Sequence, residues 1–112
     1  MLRAIAAALP DDAVGDHLDV GSGTGQLLRL VRQRYPLRSF GCDYTDKFVE
    51  GAGLNIDIVD LNRQPLPYGD RRFTLVTCVE TIEHLENYRQ LIREVYRVLR
   101  PGGVAVFSTP NI

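Results

Sequence analysis

Apolar residues near the start of the chain, Leu2, Ile5, Ala6 and Leu9, recur at the i, i+3, i+4, i+7 spacing of an amphipathic helix. This stretch also holds one arginine and an alanine run, as a secretory leader does, but Pro10, Asp11 and Asp12 interrupt it too early for one. H-L-D-V (17–20) reads as a short strand leading into G-S-G-T-G. Q-L-L-R-L-V-R-Q-R-Y is then helical up to Pro36, which lacks the amide donor a helix needs. Residues 39–43 read as a second strand, 44–50 as a brief helical turn and 55–59 as a third strand, with Pro65 and Pro67 marking a loop. Phe73–Val79 is apolar or β-branched almost throughout, the pattern of a strand covered on both faces of a parallel sheet, and is expected at the centre.

Asn87 is placed to cap the next helix with Gln90 at its third position, and Tyr88, Leu91, Ile92, Val95, Val98 and Leu99 form its apolar stripe. Pro101, Gly102 and Gly103 stop that helix, and 104–107 supply a fifth strand. Arg89, Arg93, Arg97 and Arg100 lie largely opposite the stripe and read as a solvated face rather than a phosphate-binding strip. Strands alternating with helices predict an α/β fold, an open, mostly parallel, twisted sheet with helices on both faces. In such sheets ligands bind at the carboxyl ends of the strands.

A chain of 112 residues makes one domain, and 13 basic against 14 acidic side chains give no basic signature of a nucleic-acid binder. Cys42 and Cys78 form no C-x-x-C pair and fall inside predicted strands, where a thiol is a small buried hydrophobe. A reducing, cytoplasmic setting is expected. No run approaches the roughly 20 apolar residues of a membrane span.

The chemistry gathers at D-V-G-S-G-T-G, where Gly21, Gly23 and Gly25 let the backbone turn tightly and approach a ligand. The sixth position of a dinucleotide fingerprint is Gln26 rather than glycine, and no Gly-Lys-Ser or Gly-Lys-Thr follows, so dinucleotide and P-loop sites are disfavoured. Asp19, two residues before the first glycine, would repel a pyrophosphate and suits a cationic ligand. Asp43 ends the second strand 24 residues later, where a carboxylate can accept both ribose hydroxyls. Asp60 follows the third strand, placed to accept from an adenine amine. Any one of these acids could be a helix cap or turn former; three at successive strand ends beside a glycine loop point to a ligand.

A ligand with adenine, ribose, a positive charge and no phosphate is S-adenosylmethionine. From Leu18 onward the chain resembles the Rossmann-like, class I S-adenosylmethionine-dependent methyltransferases. H-L-D-V-G-S-G-T-G is similar to their first motif, F-G-C-D-Y to their ribose motif and D-L-N-R-Q-P-L-P-Y-G-D-R-R-F to their adenine-side motif. V-E-T-I-E-H-L, V-L-R-P-G-G and F-S-T-P-N resemble the fourth and fifth strands of the small-molecule branch. The resemblance implies that Asp19, Gly21, Ser22, Gly23 and Gly25 hold the methionine part, Asp43 and Tyr44 the ribose, and Asp60 with Leu61 the adenine. Thr74 stands where the family commonly has a structural aspartate, and the family fold normally continues past the fifth strand, so the domain is expected to be cut short there.

Methyl transfer needs donor and acceptor held in line, not a protein nucleophile. His84, beyond the fourth strand, is the candidate base for a small-molecule acceptor, or else simply begins the next turn. Glu80, Glu83 and His84 form E-x-x-E-H, which resembles a metal site of some methyltransferases; with three ligands visible, the reading without metal is preferred. A binding module that holds S-adenosylmethionine without turnover is the alternative function, and a dinucleotide-binding domain a more distant one. The fifth strand carries no charge over 104–107, so its outer edge is expected to need a second copy or another covering partner.

Overall fold

The computed structural model describes residues 1–109. In chain order the elements are α1 (Leu2–Ala8), β1 (Gly15–Val20), α2 (Gln26–Arg34), β2 (Leu37–Asp43), β3 (Asn55–Ile58), β4 (Phe73–Val79), a 3-10 turn (Ile82–His84), α3 (Tyr88–Val98) and β5 (Leu99–Ser108). The strands form one sheet in the order β3-β2-β1-β4-β5, and every pairing is parallel. The expected α/β fold of Rossmann-like type is present. The middle strand is β1 rather than β4, which lies beside it.

Alternate residues of a strand face opposite sides of a sheet, and the two faces here are covered by different helices. Leu18, Val20, Cys42, Val76 and Cys78 pack with Leu91, Val95 and Val98 of α3. Leu37 and Leu75 pack with Ile5 and Leu9 at α1 and with Val31 and Tyr35 at α2. Cys42 and Cys78 are both buried free thiols, in strands separated by β1.

Several local expectations change. Residues 44–50 form bends and a turn, with Val49 N donating to Asp46 O at 3.2 Å, and no helix. The Asn87 side chain makes no capping bond to α3; its amide donates to Gln90 Oε1 instead. Leu99 begins β5 rather than ending the helical stripe, and Tyr88 and Ile92 are partly exposed, because only one side of α3 meets the sheet. The Pro101-Gly102-Gly103 segment does not precede β5 but lies within it: Leu99 pairs with Phe73 and Val104 with Leu75, and the surplus residues bulge out between those pairs.

Arg97 also departs from a solvated row. Its guanidinium donates to the carbonyl oxygens of Leu66 and Tyr68 at 2.9 and 2.8 Å and pairs with Asp70 and Glu94. Glu94 in turn accepts from Leu66 N at 2.8 Å, so the loop containing both prolines is clamped to α3. Thr74 is structural, donating from its hydroxyl to Val14 O at 2.7 Å.

Candidate functional site

Strand order reverses between β1 and β4, and the crevice beyond the carboxyl ends of the strands there is where ligands bind in such sheets. A cleft of about 560 Å³ opens at that place. Six of the predicted residues line it, Gly21, Asp43, Tyr44, Asp60, Leu61 and His84. A larger hollow of about 840 Å³ lies at the other end of the sheet, around Asp70, Arg71 and Arg100, away from the glycine loop.

The loop between β1 and α2 is left-handed at all three glycines, with φ of 76, 54 and 85° at Gly21, Gly23 and Gly25. At Gly21 a Cβ would also meet Thr81 Oγ1, whereas at Gly23 it would meet nothing within 4 Å. Gly23 therefore supplies backbone conformation beside open space, and Gly21 supplies close approach. Gly21 N and Ser22 N donate to Cys42 O at 2.8 and 3.1 Å, which fastens the loop to β2.

Asp43 completes that attachment. Its Oδ2 accepts from Gly23 N at 2.8 Å and its Oδ1 from Tyr44 N at 2.7 Å. A carboxylate has lone pairs left for two hydroxyls after these bonds. Tyr44 stands 71% exposed at the cleft rim. Asp60 shapes the turn after β3: its Oδ1 accepts from Asn62 N at 3.1 Å, and Arg63 lies 3.8 Å from its Oδ2. It is thus both turn former and cleft residue, and Leu61 beside it is buried against the core.

Asp19 lies beneath the loop rather than in the cleft, 3% exposed, and burial pushes its carboxyl up to about 7. The Ser22 hydroxyl is buried with no hydrogen-bond partner among the described residues. A loop with open space at Gly23, an orphaned hydroxyl and acids below and beside it fits a cationic nucleoside, and S-adenosylmethionine has that chemistry.

His84 closes the 3-10 turn, its side chain largely exposed, with Nε2 3.6 Å from Glu83 Oε1. Glu80 lines the cleft with it and has a positive φ of 52°. Glu83 is not among the lining residues, and no three His, Cys, Asp or Glu side chains among the described residues converge as a metal cage. Of the two acids in E-x-x-E-H, only Glu80 shares the cleft with His84.

Sequence reasoning missed Asn62, Thr81 and Leu85 as cleft residues. Asn62 Oδ1 accepts from Glu86 N and Asn87 N at 2.9 and 3.2 Å, joining the turn after β3 to the start of α3. Nothing local marks a contact 24 residues apart.

Residues 18–107 match the family described as "Methyltransferase domain". The chain is 31% identical over 118 residues to the ubiquinone/menaquinone biosynthesis C-methyltransferase of Desulfotalea psychrophila, covering 96% of this chain and 47% of that protein. It is 32% identical over 116 residues to the malonyl-[acyl-carrier protein] O-methyltransferase of a Marinomonas species, covering 97% of this chain and 43% of that one. Among solved structures, the S-adenosylmethionine-dependent methyltransferase of Mesorhizobium loti superposes with a TM-score of 0.79 at 27% identity, covering 96% of this chain and 52% of that one. The chain thus spans about half the length of the relatives it matches. With the glycine loop, the acids at the strand ends and the sheet order in agreement, the chain belongs to the methyltransferase domain family, the class I S-adenosylmethionine-dependent methyltransferases.

Proposed function

We propose that this chain is the cofactor-holding and catalytic portion of a methyltransferase acting on a carbon, oxygen or nitrogen atom of a small-molecule acceptor. The observation that carries the reading is Asp43, which holds the Gly23 amide at 2.8 Å at the edge of a cleft it shares with Asp60, Leu61 and His84. S-adenosylmethionine supplies a methyl group activated on a positively charged sulfur. Asp43 would hold the ribose hydroxyls, Leu61 and Asp60 the adenine, and Asp19, Ser22 and the loop glycines the methionine part. Tyr44 covers the ribose side.

His84, exposed at the same cleft, is the group placed to take a proton from an acceptor hydroxyl or amine, with no metal required. The two curated relatives are named for carbon and oxygen methylation, which favours acceptors of quinone-precursor or acyl-chain type. A cytoplasmic setting accords with two buried free thiols. Among the described residues no helix is long and apolar enough to cross a membrane.

Calorimetric titration with S-adenosylmethionine and, separately, with NAD tests the cofactor assignment; tighter binding of NAD would overturn it. Turnover across phenols, quinol precursors and acyl thioesters then tests catalysis. Cofactor binding without turnover of any acceptor would leave the module reading in its place.

A further inference from the structure

Beneath the glycine loop lies a buried polar row of which the methyl-transfer reading uses only Asp19. His17 and Asp19 lie two residues apart on β1, with side chains on the same face of the sheet, and Thr77 on β4 pairs with Asp19 in the strand register. Thr77 Oγ1 is 2.8 Å from Asp19 Oδ1 and 2.8 Å from His17 Nε2. All three side chains are buried, and His17 Nδ1 has no partner among the described residues.

The hydroxyl of Thr77 has one proton to give, so the row has a direction. If Thr77 donates to Asp19, it accepts from His17 Nε2–H, and the orphaned Nδ1 is only an acceptor. If Thr77 donated to His17, the neutral imidazole would carry its proton on Nδ1, a buried donor with no acceptor. Unsatisfied buried donors are rarer than under-used acceptors, which favours the first arrangement. In it, two donors in series point toward the Asp19 carboxylate.

We propose that His17, acting through Thr77, is a positioning residue that favours the ionised, proton-accepting form of Asp19 beneath the loop against the effect of burial, readying it for a cationic ligand. The inference rests on the S-adenosylmethionine reading for the identity of that ligand, but not for the state of Asp19. Burial holds the His17 imidazole down to about 3, so it stays neutral and serves only as a donor. Burial pushes Asp19 up to about 7, the Thr77 hydrogen bond pulls it down, and the charge of Asp43 on β2 pushes it up. Cys42 and Cys78 lie on the opposite, α3-covered face of the sheet, and burial pushes their thiols up to about 12 and keeps them neutral. On this face α1 and β5 contribute the apolar Ile5, Val104 and Val106, while Arg29 of α2 turns to the Thr24 carbonyl at 3.5 Å. No cation among the described residues pairs with Asp19, so its ionisation depends on the row.

The test is a carboxyl-carbon NMR titration of Asp19 in the ligand-free chain, for the parent, His17→Gln and His17→Leu. Glutamine keeps an N–H donor without a basic nitrogen; leucine removes it. The expected result is a midpoint raised by about half a pH unit or more in His17→Leu and restored in His17→Gln. Equal midpoints in all three overturn the proposal. Nitrogen spectra of the parent imidazole decide independently if the leucine variant does not fold: at pH 8, where Asp19 is ionised, a neutral ring protonated at Nε2 is required, and an Nδ1–H ring or a charged ring overturns it. Titration with S-adenosylmethionine at pH 6 and pH 8 completes the set, with His17→Leu expected to lose about threefold more affinity than the parent at the lower pH. Failure of the parent to bind at either pH would refute the cofactor reading, while the Asp19 midpoints still decide the role of His17.

Discussion

The carboxylate of Asp43 accepts a hydrogen bond from the backbone amide of Gly23 at 2.8 Å, so the acid that ends β2 also holds the glycine loop beside β1. Removing Asp43 should therefore act twice, by loosening the loop and by deleting the ribose acceptor. Each charge-assisted bond is worth about 1.5–3 kcal/mol, so Asp43→Ala should weaken S-adenosylmethionine binding by at least about tenfold. Asp43→Asn retains one acceptor oxygen and should fall between. Gly23→Ala meets no neighbour but carries the roughly 1–2 kcal/mol cost of a left-handed alanine, so it should weaken binding through the loop's shape. Calorimetry checks the series, and unchanged affinity in Asp43→Ala and Gly23→Ala would refute the cofactor assignment.

His84 gives a different signature. It is exposed, and among the described residues its side chain approaches only Glu83, at 3.6 Å, so His84→Ala should leave folding intact. A base acting in the transition state lowers kcat with little change in cofactor affinity. Turnover is also expected to survive a chelator. Complete loss in chelator, restored by one divalent metal, would transfer the role to a metal held by the E-x-x-E-H segment.

The linked pair His17 and Asp19 makes opposite contributions to stability as pH changes. His17 falls from 6.5 to about 3 on folding, so its contribution is present above 6.5 and is lost as pH falls toward 3. Asp19 rises from 3.8 to about 7, so its contribution is present below 3.8 and is lost as pH rises through 7. Between about pH 4 and 6.5 the folded pair and the unfolded pair each hold one proton, and the slopes cancel. His17→Leu should leave stability falling as pH rises across that window, and Asp19→Asn should leave it falling as pH drops. Urea unfolding at several pH values checks this; parallel profiles for parent and both variants would contradict it.

Arg97 illustrates what the sequence could not show. Its place in a row of arginines at helical spacing suggests solvent, because periodicity reports which face a residue occupies and not which loop returns to that face. In the fold it holds the carbonyls of Leu66 and Tyr68 together with Glu94. Arg97→Ala should cost about 1–3 kcal/mol by leaving those partners unpaired, measured as a lower urea midpoint. By contrast, the positions of the three glycines at the turn after β1 and of Asp43 at the end of β2 are legible, because a glycine-rich turn between strand and helix leaves few places for them to go, whereas the burial of Asp19 beneath the loop is not. The cleft's remaining walls, Asn62 and Thr81, depend on chain crossings that no local pattern records. The bulge in β5 was hidden for a related reason: Pro101-Gly102-Gly103 looks like an interruption, and only pairing with Phe73 on one side and Leu75 on the other makes it part of the strand.

The outer edge of β5 is unpaired among the described residues, since β4 takes its other side. Its apolar side chains are not equally available: Val104 and Val106 pack against the α1 cluster and Ala105 against the α3 cluster, while Phe107 is 38% exposed. An apolar edge without charge over 104–107 pairs readily with another strand. The 112-residue chain is therefore expected to self-associate through this edge, at a rate and extent that rise with concentration. Lysine at Val104 or Val106 would strain the core beneath the sheet and confuse unfolding with dissociation. Phe107→Lys places the charge on a partly exposed position at the same edge and should shift the chain toward monomer with little loss of stability. Light scattering over a dilution series, with circular dichroism to confirm the fold, decides the matter: a parent chain that stays monomeric at every concentration would show that the edge needs no cover.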